Sequence, residues 1–126
     1  MKSILIIEDD KDQSEILREK LSLKYTVTIA TSAIDALTHL QKEKPDIILL
    51  DVMLPGGMNG FDFIEKLKKD PQLTNIPILV LTNLDTEAET TRKIGVADYL
   101  IKANTSLDEI EKKVESILAT PRDDRV

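Results

Sequence analysis

Short runs of Ile, Leu and Val alternate with amphipathic stretches five times along this chain. Ser3–Ile7, Thr26–Ala30, Asp46–Leu50, Ile76–Leu81 and Ala97–Ile101 read as strands. The first, third and fourth are nearly continuous in apolar residues, the composition of strands buried on both faces of a parallel sheet. Between them, apolar residues recur at helical spacing: Ile16, Leu17 and Leu21; Ile34, Leu37 and Leu40; Phe61, Ile64 and Leu67; and last Leu107, Ile110, Val114, Ile117 and Leu118. Thr86–Ile94 is the weakest of the predicted helices, with only Ala88, Thr91 and Ile94 for a buried face. Asp10, Asp85 and Ser106 read as N-caps, Ser106 in a capping-box pattern with Glu109, and Gly95 as a C-cap. Pro45, Pro71 and Pro77 fall in connections, where a missing N–H does little harm.

Strands alternating with helices imply right-handed crossovers and a parallel sheet covered on both faces. Five strands suit an α/β, flavodoxin-like (βα)5 doubly wound sheet of order 2-1-3-4-5, whose ligand site lies at the carboxyl ends of strands one and three. The residues just after strands one, three, four and five should then carry the chemistry. Residues 1–119 read as one domain and 120–126, polar and opening on Thr-Pro, as a tail or the start of a linker.

Composition narrows that chemistry. With 126 residues and 41% apolar content the chain can bury a core without staples. It has no Cys, which removes disulfides, thiolate zinc sites and thiol nucleophiles. Its one His, His39, falls on the polar side of the predicted second helix and reads as surface. A formal charge of −6 argues against a broad grip on nucleic acid, and four aromatics (Tyr25, Phe61, Phe63, Tyr99) leave little for base stacking. The first apolar run stops after four residues at Glu8-Asp9-Asp10, too short for a signal or spanning segment, so a cytoplasmic location without membrane contact is expected.

Glu8, Asp9 and Asp10 follow strand one, Asp51 strand three, Thr82 and Asn83 strand four, and Lys102 strand five. Carboxylates gathered at one edge repel one another and rise in pKa unless a cation sits among them. A hard divalent ion suits an oxygen-only donor set, Mg²⁺ above all, with Mn²⁺ as a substitute. Metal, lysine and threonine hydroxyl together suit a phosphoryl group, and Asp is a competent nucleophile toward one. Asp10 is better explained as the cap of the first helix.

Along nearly its whole length, Lys2 to about Leu118, the sequence resembles the receiver domains of two-component response regulators. The resemblance rests on I-L-I-I-E-D-D, P-D-I-I-L-L-D-V-M-L-P-G-G-M-N-G-F, I-P-I-L-V-L-T-N and A-D-Y-L-I-K, in order and at the matching strand ends. It implies that Asp51 is the phosphoacceptor and that Glu8, Asp9, Asp51 and the Met53 carbonyl hold Mg²⁺, Glu8 through water. Thr82 matches the switch hydroxyl, Lys102 the phosphate-binding lysine and Tyr99 the switch aromatic. A histidine kinase or phosphotransfer protein would donate the phosphoryl group. A downstream protein would read the face of the predicted fourth helix, fifth strand and last helix, which allows a homodimer without requiring one. Such a domain is a signalling switch that assists its own phosphorylation and dephosphorylation, not a turnover enzyme.

Three departures from the family pattern stand out. Lys102-Ala103 replaces the usual Lys-Pro with its cis peptide; a cis bond before a non-proline costs about 2.5–4 kcal/mol, so either that strain is kept or a trans loop aims Lys102. The Pro55–Gly60 loop carries one extra residue at Gly56-Gly57, which a surface loop should tolerate. Asn83 stands where a small residue is usual, and either donates to the phosphate site or narrows it. Met53 and Leu84, two residues beyond Asp51 and Thr82, should flank the path of attacking water and, being apolar, lengthen the phosphoryl lifetime. Other readings fail on particular residues: Glu-Asp-Asp repels a nucleotide phosphate, and a dehalogenase-type phosphatase wants a second Asp where Met53 stands. The alternative that survives is a non-phosphorylated pseudo-receiver acting as a protein-interaction module.

Overall fold

Each strand is a run that can be buried on both sides, and the sheet that results is wholly parallel. In the computed structural model, which describes residues 1–84 and 95–120, the order of elements is β1 (Ser3–Ile7), α1 (Lys11–Leu21), β2 (Thr26–Ala30), α2 (Ala33–Lys42), β3 (Ile47–Leu50), α3 (Gly60–Lys69), β4 (Ile78–Thr82), β5 (Asp98–Ile101), a 3-10 turn (Lys102–Asn104) and α4 (Leu107–Ala119). The strands lie side by side as β2-β1-β3-β4-β5. This is the flavodoxin-like arrangement the alternating pattern predicts. The predicted helix at 86–94, its cap Asp85 and the tail beyond 120 lie outside the described residues.

Successive strand residues point to opposite faces, so the sheet feeds two cores. Leu5, Ile7, Ile48, Leu50, Ile78 and Val80 meet α2 and α3 on one side. Ile4, Ile6, Ile47, Leu49, Leu79 and Leu81 meet α1 and α4 on the other. Strand ends shift by a residue or two from the hydrophobic runs. Ile76 sits in the turn before β4, with Pro77 contributing only its carbonyl, to the Ile48 N–H. Asp46 stays outside β3, where its carboxylate accepts the Ser3 N–H at 2.8 Å.

The helices turn slightly different faces inward than the apolar spacing suggests. α1 buries Ser14, Leu17 and Leu21, leaving Ile16 exposed. α2 buries Ala33, Ala36 and Leu40 while Ile34 points outward; alanines at that spacing let the helix lie close to the sheet. α3 sinks Phe63 with Ile64 and Leu67, and Phe61 packs only at the margin. α4 buries Ile110, Val114 and Ile117, with Leu107 partly exposed. Asp10 caps α1 by accepting from the Gln13 N–H, and Ser106 and Glu109 form the expected reciprocal box on α4. Gly95 has φ +95°, a left-handed conformation that favours glycine, while the helix it was expected to cap lies outside the described residues. Lys20 pairs with Asp108, joining α1 to α4, and Lys24, in the turn after α1, pairs with Glu111 and Glu115 of α4.

One glycine is fixed by contact. The Gly60 N–H donates to the Val52 carbonyl at 3.0 Å, and a Cβ on Gly60 would lie 2.2 Å from Val52 Cα. The start of α3 is thereby pressed onto the segment that leaves β3. The Gly56-Gly57 insertion is exposed, as a tolerated loop insertion should be.

Candidate functional site

Parallel register brings the carboxyl ends of β1, β3, β4 and β5 to one edge. The Glu8 N–H donates to the Ala30 carbonyl and the Asp51 N–H to the Ile7 carbonyl, so each acid is the first residue past its strand and is still held by the ladder. Glu8, Asp51 and Thr82 are buried, and buried polar groups need partners. Asp51 has one at every turn. Its Oδ1 accepts from Thr82 Oγ1 at 2.7 Å and from the Met53 N–H at 2.9 Å, and its Oδ2 accepts from Lys102 Nζ at 2.8 Å. Lys102 Nζ also donates to Glu8 Oε1 and, at 2.5 Å, to Gln13 Oε1. The Asp10 N–H donates to Glu8 Oε2 at 3.2 Å.

Burial pushes the Glu8 carboxyl above its ordinary range, more than the hydrogen bonds from Lys102 and the Asp10 N–H pull it down. Burial alone would lower the Lys102 ammonium, but its bonds to Asp51 and Glu8 outweigh that and hold it above its ordinary value. The amine is therefore charged at neutral pH and counterbalances two buried acids. Glu8, Asp9 and Asp51 each offer a carboxylate oxygen, all within 4.8 Å of one another, and Asp9 is open to solvent. An oxygen-only set with an open side for water fits a hard divalent cation. Glu8, whose burial disfavours its charge, gives such a cation something to neutralise.

Asp9, Asp51, Thr82 and Lys102, the residues placed at the strand ends by sequence, converge. Asp10 serves the helix cap, as expected. Tyr99 is buried in the α2–α3 core, its hydroxyl donating to the Leu84 carbonyl. Met53 is exposed beside Asp51, and Leu84 is half-buried against the core. No peptide bond is cis among the described residues, so Lys102-Ala103 is trans, and Lys102 still reaches Asp51. Asn83 makes no hydrogen bond to Asp51 among the described residues; its Oδ1 accepts the Ala103 N–H at 3.0 Å, and it lines the cleft beside Lys102. Gln13 escaped sequence reasoning. Its place three residues after Asp10 is that of a capping-box partner, which hides a side chain that instead turns to Lys102. A cleft of about 270 Å³ lies beside this lysine, lined by Gln13, Ile16, Leu17, Asn83, Ala103 and Leu107 among others.

The sequence pattern described as "Response regulator receiver domain" matches residues 4–115. The chain belongs to this family. It is 38% identical over 102 residues to the response regulator PleD of Caulobacter vibrioides, covering 79% of this chain and 22% of that one. A putative response regulator from Chloroflexus aurantiacus superposes with TM-score 0.86 at 32% identity, covering 94% of this chain and 98% of that one. The Mn²⁺-bound form of response regulator Rcp1 superposes with TM-score 0.81 at 29% identity, over 96% and 97% of the two chains. The receiver domain spans from 7% to about half of the length of the first curated relatives it matches. Its family is one of two-component signalling domains. No helix among the described residues is long and apolar enough to cross a membrane.

Proposed function

We propose that this receiver domain is a phosphorylation-controlled switch whose phosphoacceptor is Asp51. The observation that carries the reading is the set of donors on that carboxylate: Thr82 hydroxyl, Met53 N–H and Lys102 ammonium, all within 2.9 Å. An Asp51 carboxylate oxygen attacks the phosphorus of a phosphohistidine. The P–N bond breaks, the imidazole keeps the electron pair, and an acyl phosphate forms. Lys102 and Thr82 then transfer from the carboxylate to the new phosphoryl oxygens, which carry more charge. Glu8, Asp9, Asp51 and the Met53 carbonyl would hold Mg²⁺ or Mn²⁺, which when bound neutralises the phosphoryl oxygens. Asp9, exposed, supports access of the hydrated ion, and Glu8 supports the site from beneath.

Thr82 and Leu84 are two residues apart, and the Tyr99 hydroxyl already holds the Leu84 carbonyl. Movement of Thr82 toward a phosphoryl group therefore pulls on the partner of Tyr99. That coupling carries the change to the surface of β5, α4 and the segment between β4 and β5, where a downstream protein or a second copy of the domain would read it. The donor is a histidine kinase or phosphotransfer protein of the cytoplasm, and residues 1–119 form the switching unit with 120–126 as tail or linker.

Acetyl phosphate with Mg²⁺, followed by intact mass, tests this. Wild type should gain one phosphoryl group and Asp51→Asn none. If neither gains it, the domain works as an interaction module without phosphorylation.

A further inference from the structure

Two departures from the family pattern, Asn83 and Ala103, touch each other. The β4–β5 ladder ends at the pair Thr82 and Ile101, and beyond it the two chains diverge. The next cross-link is the Ala103 N–H donating to Asn83 Oδ1 at 3.0 Å. A proline at 103 has no N–H for Asn83 to receive, so the amide and its acceptor belong to one device. The turn they secure is Lys102–Asn104, closed by the Thr105 hydroxyl donating to the Ile101 carbonyl at 2.8 Å. From the opposite side, Gln13 on α1 accepts from Lys102 Nζ at 2.5 Å. Lys102 is thus held through the neighbouring Ala103 amide by the residue just past β4, and at its amine from α1.

We infer that Asn83 and Gln13 are positioning residues for Lys102, a two-ended brace that does in a trans loop the work of the absent Lys-Pro peptide. The inference deepens the phosphoacceptor reading and rests on it for its catalytic consequence, but the brace itself is measurable without any phosphodonor. Lysine has four side-chain torsions and a large rotamer entropy, so an ammonium delivered to a phosphoryl oxygen gains from being held beforehand. No hydrogen bond joins Asn83 to Asp51 among the described residues, so its effect passes through the turn.

The test has two arms. In the first, amide exchange at Ala103 and ¹³Cε relaxation of Lys102 are measured by NMR in wild type, Asn83→Ala, Asn83→Asp and Gln13→Leu. Asn83→Ala should speed Ala103 exchange about two- to tenfold, the worth of one hydrogen bond, while Asn83→Asp, which keeps an acceptor oxygen, should restore protection. Both Asn83→Ala and Gln13→Leu should loosen Lys102 Cε. In the second arm, phosphorylation by acetyl phosphate is followed in a double-mutant cycle with Lys102→Met. Asn83→Ala should slow wild type about two- to tenfold and leave the Lys102→Met background unchanged. Equal effects in both backgrounds, or unchanged Ala103 exchange and Lys102 relaxation, would overturn the brace. If wild type takes up no phosphoryl group, the phosphoacceptor reading fails instead, and the first arm alone decides whether the brace exists.

Discussion

Replacing Gly60 by Ala is the sharpest structural perturbation of the site that leaves every polar group in place. A Cβ built on Gly60 meets Val52 Cα at 2.2 Å, Val52 Cβ at 2.8 Å and the Val52 carbonyl carbon at 3.0 Å. Carbon atoms prefer about 3.5–4.0 Å, so the overlap exceeds an ångström, and two of the three atoms are backbone that no rotamer change can remove. Either α3 lifts from the segment after β3 or that segment shifts. Overpacking of this kind costs about 1–3 kcal/mol, and the Gly60 N–H bond to the Val52 carbonyl adds about 1 kcal/mol if it is lost. Ala is intrinsically the better helix former by up to about 1 kcal/mol, less at a first helical position. The expected net loss is about 2–3 kcal/mol, read as a lowered urea midpoint at unchanged slope. Gly57→Ala is the control: nothing lies within 4 Å of its Cβ and its φ is not left-handed, so it should stay within about 0.5 kcal/mol of wild type. Because Val52 lies between Asp51 and Met53, Gly60→Ala should also slow phosphorylation by acetyl phosphate. If Gly60→Ala unfolds at the same midpoint as Gly57→Ala, the close approach is not what fixes this loop.

Three further outcomes follow from the site. Glu8 has its folded pKa raised above the ordinary 4.5, so its proton is bound more tightly in the folded state, and stability falls as pH rises from 4.5 through the folded value. In chelator, Glu8→Gln should therefore unfold at higher temperature than wild type at pH 7, with the advantage vanishing below pH 4.5; a pH-independent difference would contradict this. Mg²⁺ at a hundred times its dissociation constant should stabilise wild type by about 2.7 kcal/mol, and Asp9→Asn should lose most of that shift in a thermal melt. Met53→Asn with Leu84→Glu should shorten the phosphoryl lifetime by placing polar groups where water approaches, and equal lifetimes by intact mass would refute the role given to the two apolar side chains.

The order of the sheet and its acidic edge were legible because both rest on local pattern. Strands of continuous Ile, Leu and Val can be buried only in a sheet covered on both faces, and the first polar residue after each is then at the carboxyl edge. Helix faces were less legible. Ile34 and Ala36 fit helical spacing equally well on different faces, and hydrophobicity favours the wrong one. Only the short distance between α2 and the sheet selects Ala33 and Ala36. Gln13, and the partner of Asn83, were hidden for a different reason. Gln13 and Asn83 are neutral amides whose partners, Lys102 and Ala103, are 89 and 20 residues away, and no spacing rule links them. The trans Lys102-Ala103 peptide was one of the two alternatives the sequence left open, and for a non-proline it is the lower-energy one.

Taken with these contacts, the state of the site explains how a single charge transfer could be felt at the surface. The donors that a phosphoryl group on Asp51 would need are already engaged in the unmodified site: Thr82 and Lys102 on Asp51, Lys102 also on the Glu8 carboxylate and the Gln13 amide oxygen. Phosphorylation would not create contacts in empty space; it would compete for existing ones with a more highly charged acceptor. A change of conformation requires such a difference in interaction between the two states, because a ligand that binds both equally shifts nothing. Thr82 is fully buried, its hydroxyl donating to Asp51 and accepting from the Leu84 N–H at 3.4 Å, so its transfer to a phosphoryl oxygen would act on the backbone at Leu84. Tyr99 holds the Leu84 carbonyl from the core side. The two residues therefore pull on one short segment from opposite ends, and the balance between them is what the phosphoryl group would tip.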